Sequence, residues 1–446
     1  MHSEPGAAHV IFGWSPAIVA SVLFGLVYAL IIAEKINRAI LALLGAGLLI
    51  ICGVINQEAA VRGIDFNTIG LLMGMMLIVN ITAKCGIFQY IAIWAAKRVN
   101  AEPMGVLIML SIVTAFLSAM LDNVTTVLLV VPVTLVITEE LKVKPYPYLV
   151  YEILFSNIGG TATLIGDPPN IMIGSAVGLT FNDFVVNLTP VVLVVMAATL
   201  VPVYFIWRKD LVTSPEARKR VMNFSEREAI TNPRLMKQAL AVIACVITGF
   251  VTARFIHLEP ATIAIFGAAA LLLLDNFGYD AEHQSKNVHH AFAEVEWITL
   301  MFFVGLFILV HGLESSGVIR AMAEKLLAAT AGDRNITVLA ILWGSAILSA
   351  FIDNIPFVAT MIPMIKSMAP TFGGEQALMP FWWALSLGAC LGGNGTLIGA
   401  SANLVVAGLA ERAGHPIRFV PYMKSCFLLM LLSVAVCHVY MVIRYL

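Results

Sequence analysis

The chain alternates between long apolar runs and short polar stretches. Residues 15–32, 38–55, 185–207 and 240–255 are almost free of charge, and each approaches the ~20 apolar residues that carry a helix across a ~30 Å hydrocarbon core. These runs predict membrane-spanning helices. Two further runs are too long for one crossing: residues 104–138 would form a helix of roughly 50 Å at ~1.5 Å per residue, and residues 336–368 repeat the situation. Each holds an Asp-Asn pair at its middle, Asp122-Asn123 and Asp353-Asn354. Asp and Asn favour helix N-caps because their side chains accept the orphan N–H groups of the next turn. The pattern predicts two helical hairpins, at about 104–138 and 336–368, with their tips inside the membrane. Irregular backbone at that depth survives only where protein or a water-filled cavity surrounds it, so both tips are expected to face an internal site.

The runs 149–177 and 384–409 are interrupted by other means. Gly159-Gly160, Gly166 and Pro168-Pro169 break the first, and Gly392-Gly393, Gly395 and Gly399 break the second. Glycine permits close backbone approach, and proline leaves a carbonyl without its helical donor. Broken helices with freed backbone groups are natural places to bind ions or anions.

The chain also matches itself. An offset of 231 residues places Asp122-Asn123 on Asp353-Asn354, Ser118 on Ser349, Gly74 on Gly305, Gly86 on Gly317 and acidic Asp65 on Glu296. An offset of 233 places 159–166 on 392–399 and Asn170 on Asn403. The expected organisation is a tail 1–13, a first repeat 14–207, a linker 208–237 and a second repeat 238–446. With eight Lys/Arg against four Asp/Glu, the linker reads as cytoplasmic under the positive-inside rule. Each repeat holds three spans, a re-entrant hairpin, a broken helix and a closing span, giving an all-α polytopic membrane protein of about ten spans plus two hairpins. Five crossings per repeat invert the second against the first and put both termini outside. Stretches 89–98 and 318–328 are expected to lie as amphipathic arms along opposite interfaces. Residues 1–13 lack a basic n-region, so no cleaved signal peptide is expected.

Composition narrows the functions. Hydrophobic residues make up 60% and charged residues 12%, against about 25% charged in soluble domains, so the bilayer is the main partner. A net charge of -1 excludes a generally basic nucleic-acid surface. The six cysteines show no C-x-x-C and read as buried small hydrophobes. His283, His289 and His290 fall in a polar stretch read as a solvated loop, without metal-site spacing. No enzyme, cofactor or metal is expected. The absence of G-x-x-x-x-G-K-[ST] argues against an ATP-driven pump in this chain, although a separate ATPase subunit is compatible with it.

Ionisable residues inside a membrane are costly and mark ion pathways, so Asp122 and Asp353 are the candidates for carrying a coupling proton, alongside a capping role. Asn123, Thr125 and Thr126 offer hard oxygen ligands beside Asp122. Asn354 repeats Asn123, but Pro356 and Phe357 stand where Thr125 and Thr126 do, so a cation site should be better furnished in the first half. Gly160, Thr161 and Thr163 flank one break, and Gly393, Asn394 and Thr396 the other, as ligands or as caps for freed backbone. Asn170 and Asn403 are expected to fix the second half-helices. Asp167, opposite Ala400, is either a site residue or a turn residue. Cys390 stands beside the second break, and His311 next to Glu314 is either a proton relay or a packed polar group.

At these residues the sequence resembles the arsenite-efflux permease and P-protein branch of the ion transporter superfamily, to which NhaD-type sodium/proton antiporters also belong. The resemblance is carried by LSAMLDNVTT (117–126), GGTATLIGDPPN (159–170), LSAFIDNIP (348–356) and GGNGTLIGASAN (392–403), and it covers nearly the whole chain. It implies a secondary transporter of a bacterial inner membrane, working by an elevator-like mechanism, often as a homodimer, on arsenite, antimonite, sodium or carboxylates. In the dicarboxylate branch the hairpin tips carry Ser-Asn-Thr. Here an Asp precedes each Asn, which disfavours a dianion and favours proton or cation chemistry. The resulting expectation is proton-coupled efflux of arsenite or antimonite, with Na+/H+ antiport and anion or carboxylate transport as alternatives, and H+ or Na+ as coupling ion.

Overall fold

The computed structural model describes residues 10, 13–33 and 35–446, so the tail 1–13 lies almost wholly outside the described residues. All regular structure among them is helical. Eight helices of 18 residues or more are apolar enough to cross a membrane, and Pro16–Ile32, Arg38–Ile51 and Pro260–Asn276 are shorter apolar helices. The protein is an all-α polytopic membrane protein of two inverted-topology repeats.

In the first repeat the spans Pro16–Ile32, Arg38–Ile51 and Phe66–Ala83 are followed by an arm, Ile87–Arg98. Hairpin 1 then consists of Pro103–Met120 and Asn123–Leu141, broken helix 1 of Tyr146–Gly160 and Pro168–Val177, and Phe181–Trp207 closes the repeat. The second repeat runs Pro233–Ile256, Pro260–Asn276 and Trp297–Ser315, then an arm, Val318–Ala329. Hairpin 2 consists of Arg334–Phe351 and Asn354–Ser367, broken helix 2 of Met379–Gly392 and Ser401–Arg412, and Phe419–Tyr445 closes it. Both arms start at a glycine with left-handed backbone, Gly86 at φ 79° and Gly317 at φ 82°, a conformation that costs glycine little.

The inversion is visible in which ends meet. Asn80, near the end of Phe66–Ala83, donates to the Glu294 carbonyl just ahead of Trp297–Ser315 (2.9 Å). Gly63, ahead of the first of these helices, packs on His311 near the end of the second. The two equivalent helices therefore run in opposite directions. Each pairs with a span of the other repeat, Phe66–Ala83 with Pro260–Asn276 and Trp297–Ser315 with Arg38–Ile51. The repeated glycines make these contacts close: a Cβ at Gly74 would stand 2.7 Å from the carbonyl carbon of Ala264, and one at Gly305 2.5 Å from that of Ala42. Small residues that let backbones approach drive helix association in lipid, where no hydrophobic force acts between helices. This crossed pairing makes a scaffold shared by both repeats.

Two polar segments differ from expectation. The stretch around His283 to His290 is a helix, Ala281–Ala293, because Asp280 accepts from the His283 N–H (2.9 Å) and caps its first turn. The linker, read from its charge as a cytoplasmic loop, contains a helix, Pro215–Met222, and docks on the first repeat. Thr231 N–H donates to the Cys85 carbonyl (3.1 Å), Arg218 donates to the Asn100 carbonyl, and Lys97 pairs with Glu226. The Lys97 ammonium holds the Glu226 carboxyl below its ordinary range.

Candidate functional site

Each hairpin turns in two residues. In hairpin 1, Leu121 and Asp122 adopt extended backbone, and Asp122 caps the next helix: one carboxylate oxygen accepts from the Thr125 N–H (2.9 Å) and the other from the Thr125 hydroxyl. In hairpin 2 the position of Thr125 is Pro356, which has neither N–H nor hydroxyl. The cap shifts to the Ile355 N–H (3.1 Å), and the second oxygen of Asp353 is left to other partners. Arg38 Nη1 donates to it at 2.7 Å and Ser401 Oγ at 3.0 Å. One sequence difference between the repeats thus separates a carboxyl satisfied within its own turn from one held by a guanidinium of the scaffold.

The broken helices are closed in the same way in both repeats. Asn170 Nδ2 donates to the carbonyls of Thr161 (3.1 Å) and Thr163 (2.9 Å), and Asn403 Nδ2 to those of Gly393 (2.7 Å) and Thr396 (2.9 Å). These amides replace the donors that the breaks remove, as buried carbonyls require. Hydroxyls tie each hairpin to its broken helix: Ser118 to the Ser156 carbonyl and Ser349 to that of Ala389, both at 2.7 Å, with Thr163 to Ala119 and Thr396 to Ala350. Thr161 donates back to the Asn157 carbonyl. A Cβ at Gly159 would lie 2.1 Å from the Ala115 carbonyl oxygen, and one at Gly392 2.5 Å from that of Ala346. Each hairpin and its broken helix therefore form one packed unit.

The two units meet at the centre. Asn157, fully buried, accepts from Asn123 Nδ2 (3.1 Å) and donates to the side-chain oxygens of Asn394 (2.9 Å) and Asn403 (3.0 Å). Asn354 Nδ2 approaches Asp167 at 3.3 Å, and Asn170 Oδ1 accepts from Ser386 (2.6 Å), with the Cys390 thiol at 3.6 Å. Beside this network lies a cavity of about 20 Å³, lined by Asp122, Asn123, Asp167 and Asn354 from the two units and by Arg38, Glu296 and Thr299 from the scaffold. That volume is close to one water. Next to it a vestibule of about 320 Å³ is lined by Tyr28, Arg38, Glu296, Asp353 and Ser401.

Of the residues anticipated from sequence, Asp122, Asn123, Asp167 and Asn354 line the cavity and Asp353 the vestibule. Thr161, Thr163, Asn170, Asn394, Thr396 and Asn403 bond to backbone or to one another behind it. Gly160 and Gly393 make close backbone contacts there. Thr126 Oγ1 is buried without a partner among the described residues. His311 lies apart, in a separate cavity of about 230 Å³ with Asp65, Glu314 and Lys366. Sequence reasoning passed over Arg38, Asn157, Glu152 and Glu296. Each left a trace, since Arg38 opens an apolar run, Glu152 and Asn157 interrupt another, and Glu296 is the repeat mate of Asp65. Glu152 is buried in hairpin 1's packed unit, bonded to Thr134 through one oxygen, with the other unpartnered among the described residues.

Asn157→Leu should leave the amides of Asn123, Asn394 and Asn403 each short of a partner. An unsatisfied buried polar group costs about 1–3 kcal/mol, so a clear fall in melting temperature of the detergent-purified protein is expected. An unchanged melt would mean that the network is not stabilising.

A profile described as citrate transporter matches residues 28–388. The chain belongs to the citrate transporter family. An uncharacterized transporter of Mycobacterium tuberculosis is 40% identical over 433 residues, covering 96% of this chain and 99% of that one. The 46 kDa membrane protein of Mycobacterium leprae is 38% identical over 434 residues, with the same coverage. The human P protein is 32% identical over 508 residues, 96% of this chain but 60% of its own length. The crystal structure of the Alcanivorax borkumensis YdaH transporter covers 96% of this chain and 98% of its own at a TM-score of 0.57 and 14% identity, a likeness of fold. This member of the citrate transporter family is accordingly a multi-pass membrane transporter and not an enzyme.

Proposed function

We propose that this protein is a proton-coupled secondary transporter that exports a small uncharged oxyacid, arsenite or antimonite, in exchange for protons. The observation that supports the reading is the convergence of Asp122, Asp167, Asp353 and Glu296 on two adjoining spaces that hold a single guanidinium among the described residues. Uncompensated carboxylates inside a membrane protein are expensive, so cations must balance them, and the proton is the simplest. Asp122 and Asp353 sit at the hairpin tips, where a carried proton would move with an elevator-like displacement of the packed units against the scaffold.

An uncharged trihydroxide is not repelled by this cluster and meets amide partners from Asn123 and Asn354 and hydroxyl partners from Thr299 and Ser401. A citrate trianion would be repelled unless protonated or accompanied by cations. Na+/H+ antiport is a second reading, favoured by the hard oxygens of Asp122 and Thr125. In this reading the protein works in a bacterial inner membrane with both termini outside.

Purified protein in proteoliposomes with an imposed pH gradient tests these readings when arsenite, sodium and citrate are compared side by side. Arsenite flux that follows the gradient is the expected result. Flux of sodium alone would replace the cargo, and no gradient-driven flux of any solute would overturn proton coupling.

A further inference from the structure

The second half-site contains a cation of its own. Pro356 lacks the hydroxyl with which Thr125 occupies Asp122 Oδ2 in the first repeat, and the corresponding oxygen, Asp353 Oδ2, faces Ser401, where the first repeat has Pro168. Arg38 fills the place: Nη1 lies 2.7 Å from Asp353 Oδ2 and 2.6 Å from Ser401 Oγ. The guanidinium is anchored on the scaffold side, with Nη2 3.4 Å from Thr299 Oγ1 and its carbon 5.0 Å from the centre of the Phe302 ring. Carboxylate and hydroxyl oxygens converging on one point are the donor set of a small monovalent cation, and here a side chain from another unit supplies the positive charge.

We propose that Arg38 is a built-in cation occupying a monovalent-cation site at Asp353 and Ser401, so that a coupling proton or Na+ binds there only by displacing the guanidinium. The site adjoins the vestibule, from which a cation can arrive. The other titratable groups facing Asp353 are Tyr28 and Glu296 along the vestibule wall and Asp167 across the cavity. Because Arg38 belongs to the scaffold and Asp353 to hairpin 2, the displaced pair is also a bond between the two parts. Cation binding at Asp353 therefore releases hairpin 2 from Arg38. Among the described residues the first repeat makes no equivalent bond, and both oxygens of Asp122 accept from Thr125.

This inference rests on the cation-coupled reading for its meaning, but its test uses no cargo. The melting temperature of purified protein is measured against Na+ concentration at fixed pH, with choline keeping ionic strength constant, and against pH without Na+. A nearby opposite charge moves a carboxyl's cation affinity by about one to three powers of ten. Arg38→Gln should therefore show its cation-dependent stabilisation at ~10- to 1000-fold lower Na+ or proton concentration than wild type. The arm that moves says which ion binds. Arg38→Lys keeps the charge but loses the planar fork and should shift partway, which provides the test if the Gln variant does not fold. Adding Asp353→Asn to either variant should remove the gain. No shift in either single variant, or a gain that survives Asp353→Asn, would overturn the proposal. If the shift appears while proteoliposomes show no cation-driven flux, the coupled-transport reading fails and the cation site stands.

Discussion

Replacing Asp122 with Asn is expected to cut pH-gradient-driven flux by more than about tenfold, equivalent to ~1.4 kcal/mol, while leaving a folded, extractable protein. Asn is as good an N-cap as Asp, so its side-chain oxygen can still accept from the Thr125 N–H, which lies 2.9 Å from the native carboxylate. What disappears is the carboxyl proposed to take up and release the coupling proton. Asp353→Asn should behave differently although it is the same change at the repeated position. It removes the partner of Arg38, and breaking a buried ion pair costs up to about 3–5 kcal/mol. The side chains here are 24% and 13% exposed, which places the loss below that range. Asp122→Asn should thus lose flux with a near-native melt, and Asp353→Asn should lose both. Full gradient-driven flux in the Asp122 variant would remove its proton-carrying role.

Gly159→Ala should have a large structural effect, because the added methyl would meet the backbone of hairpin 1. The new Cβ would lie 2.1 Å from the Ala115 carbonyl oxygen and 2.5 Å from its Cα. These are backbone atoms, so relief requires hairpin 1 to separate from broken helix 1, stretching the Ser118 to Ser156 bond that joins them. Overpacking typically costs about 1–3 kcal/mol and sometimes more, and a clash with rigid backbone belongs at the upper end. Loss of the monodisperse peak on size-exclusion chromatography is expected. Gly344→Ala is the matched control, because a Cβ there meets nothing within 4 Å. A Gly159→Ala protein as monodisperse and heat-stable as wild type would show that the two helices do not pack as closely as described.

The sequence by itself determined the plan of the protein. Apolar run lengths set the spans, Asp-Asn pairs inside runs too long for one crossing marked the hairpin tips, and glycine and proline clusters marked the breaks. Self-comparison implied the inversion. All of these are legible because they are local: a lipid environment penalises each interrupting residue wherever its partner lies. Only the tertiary structure decided who those partners are. Arg38 and Asp353 are 315 residues apart, Asn157 and Asn403 246, and Asp167 and Asn354 187. The repeat cannot supply these pairings, because contacts across its axis join residues that are not equivalent. The mate of Asn157 is Cys390, that of Asp167 is Ala400, and Arg38 lies outside the segment over which the offset holds. Periodicity and spacing carry information along one chain segment, whereas the charge balance at the site is set by helices that pack across the two repeats.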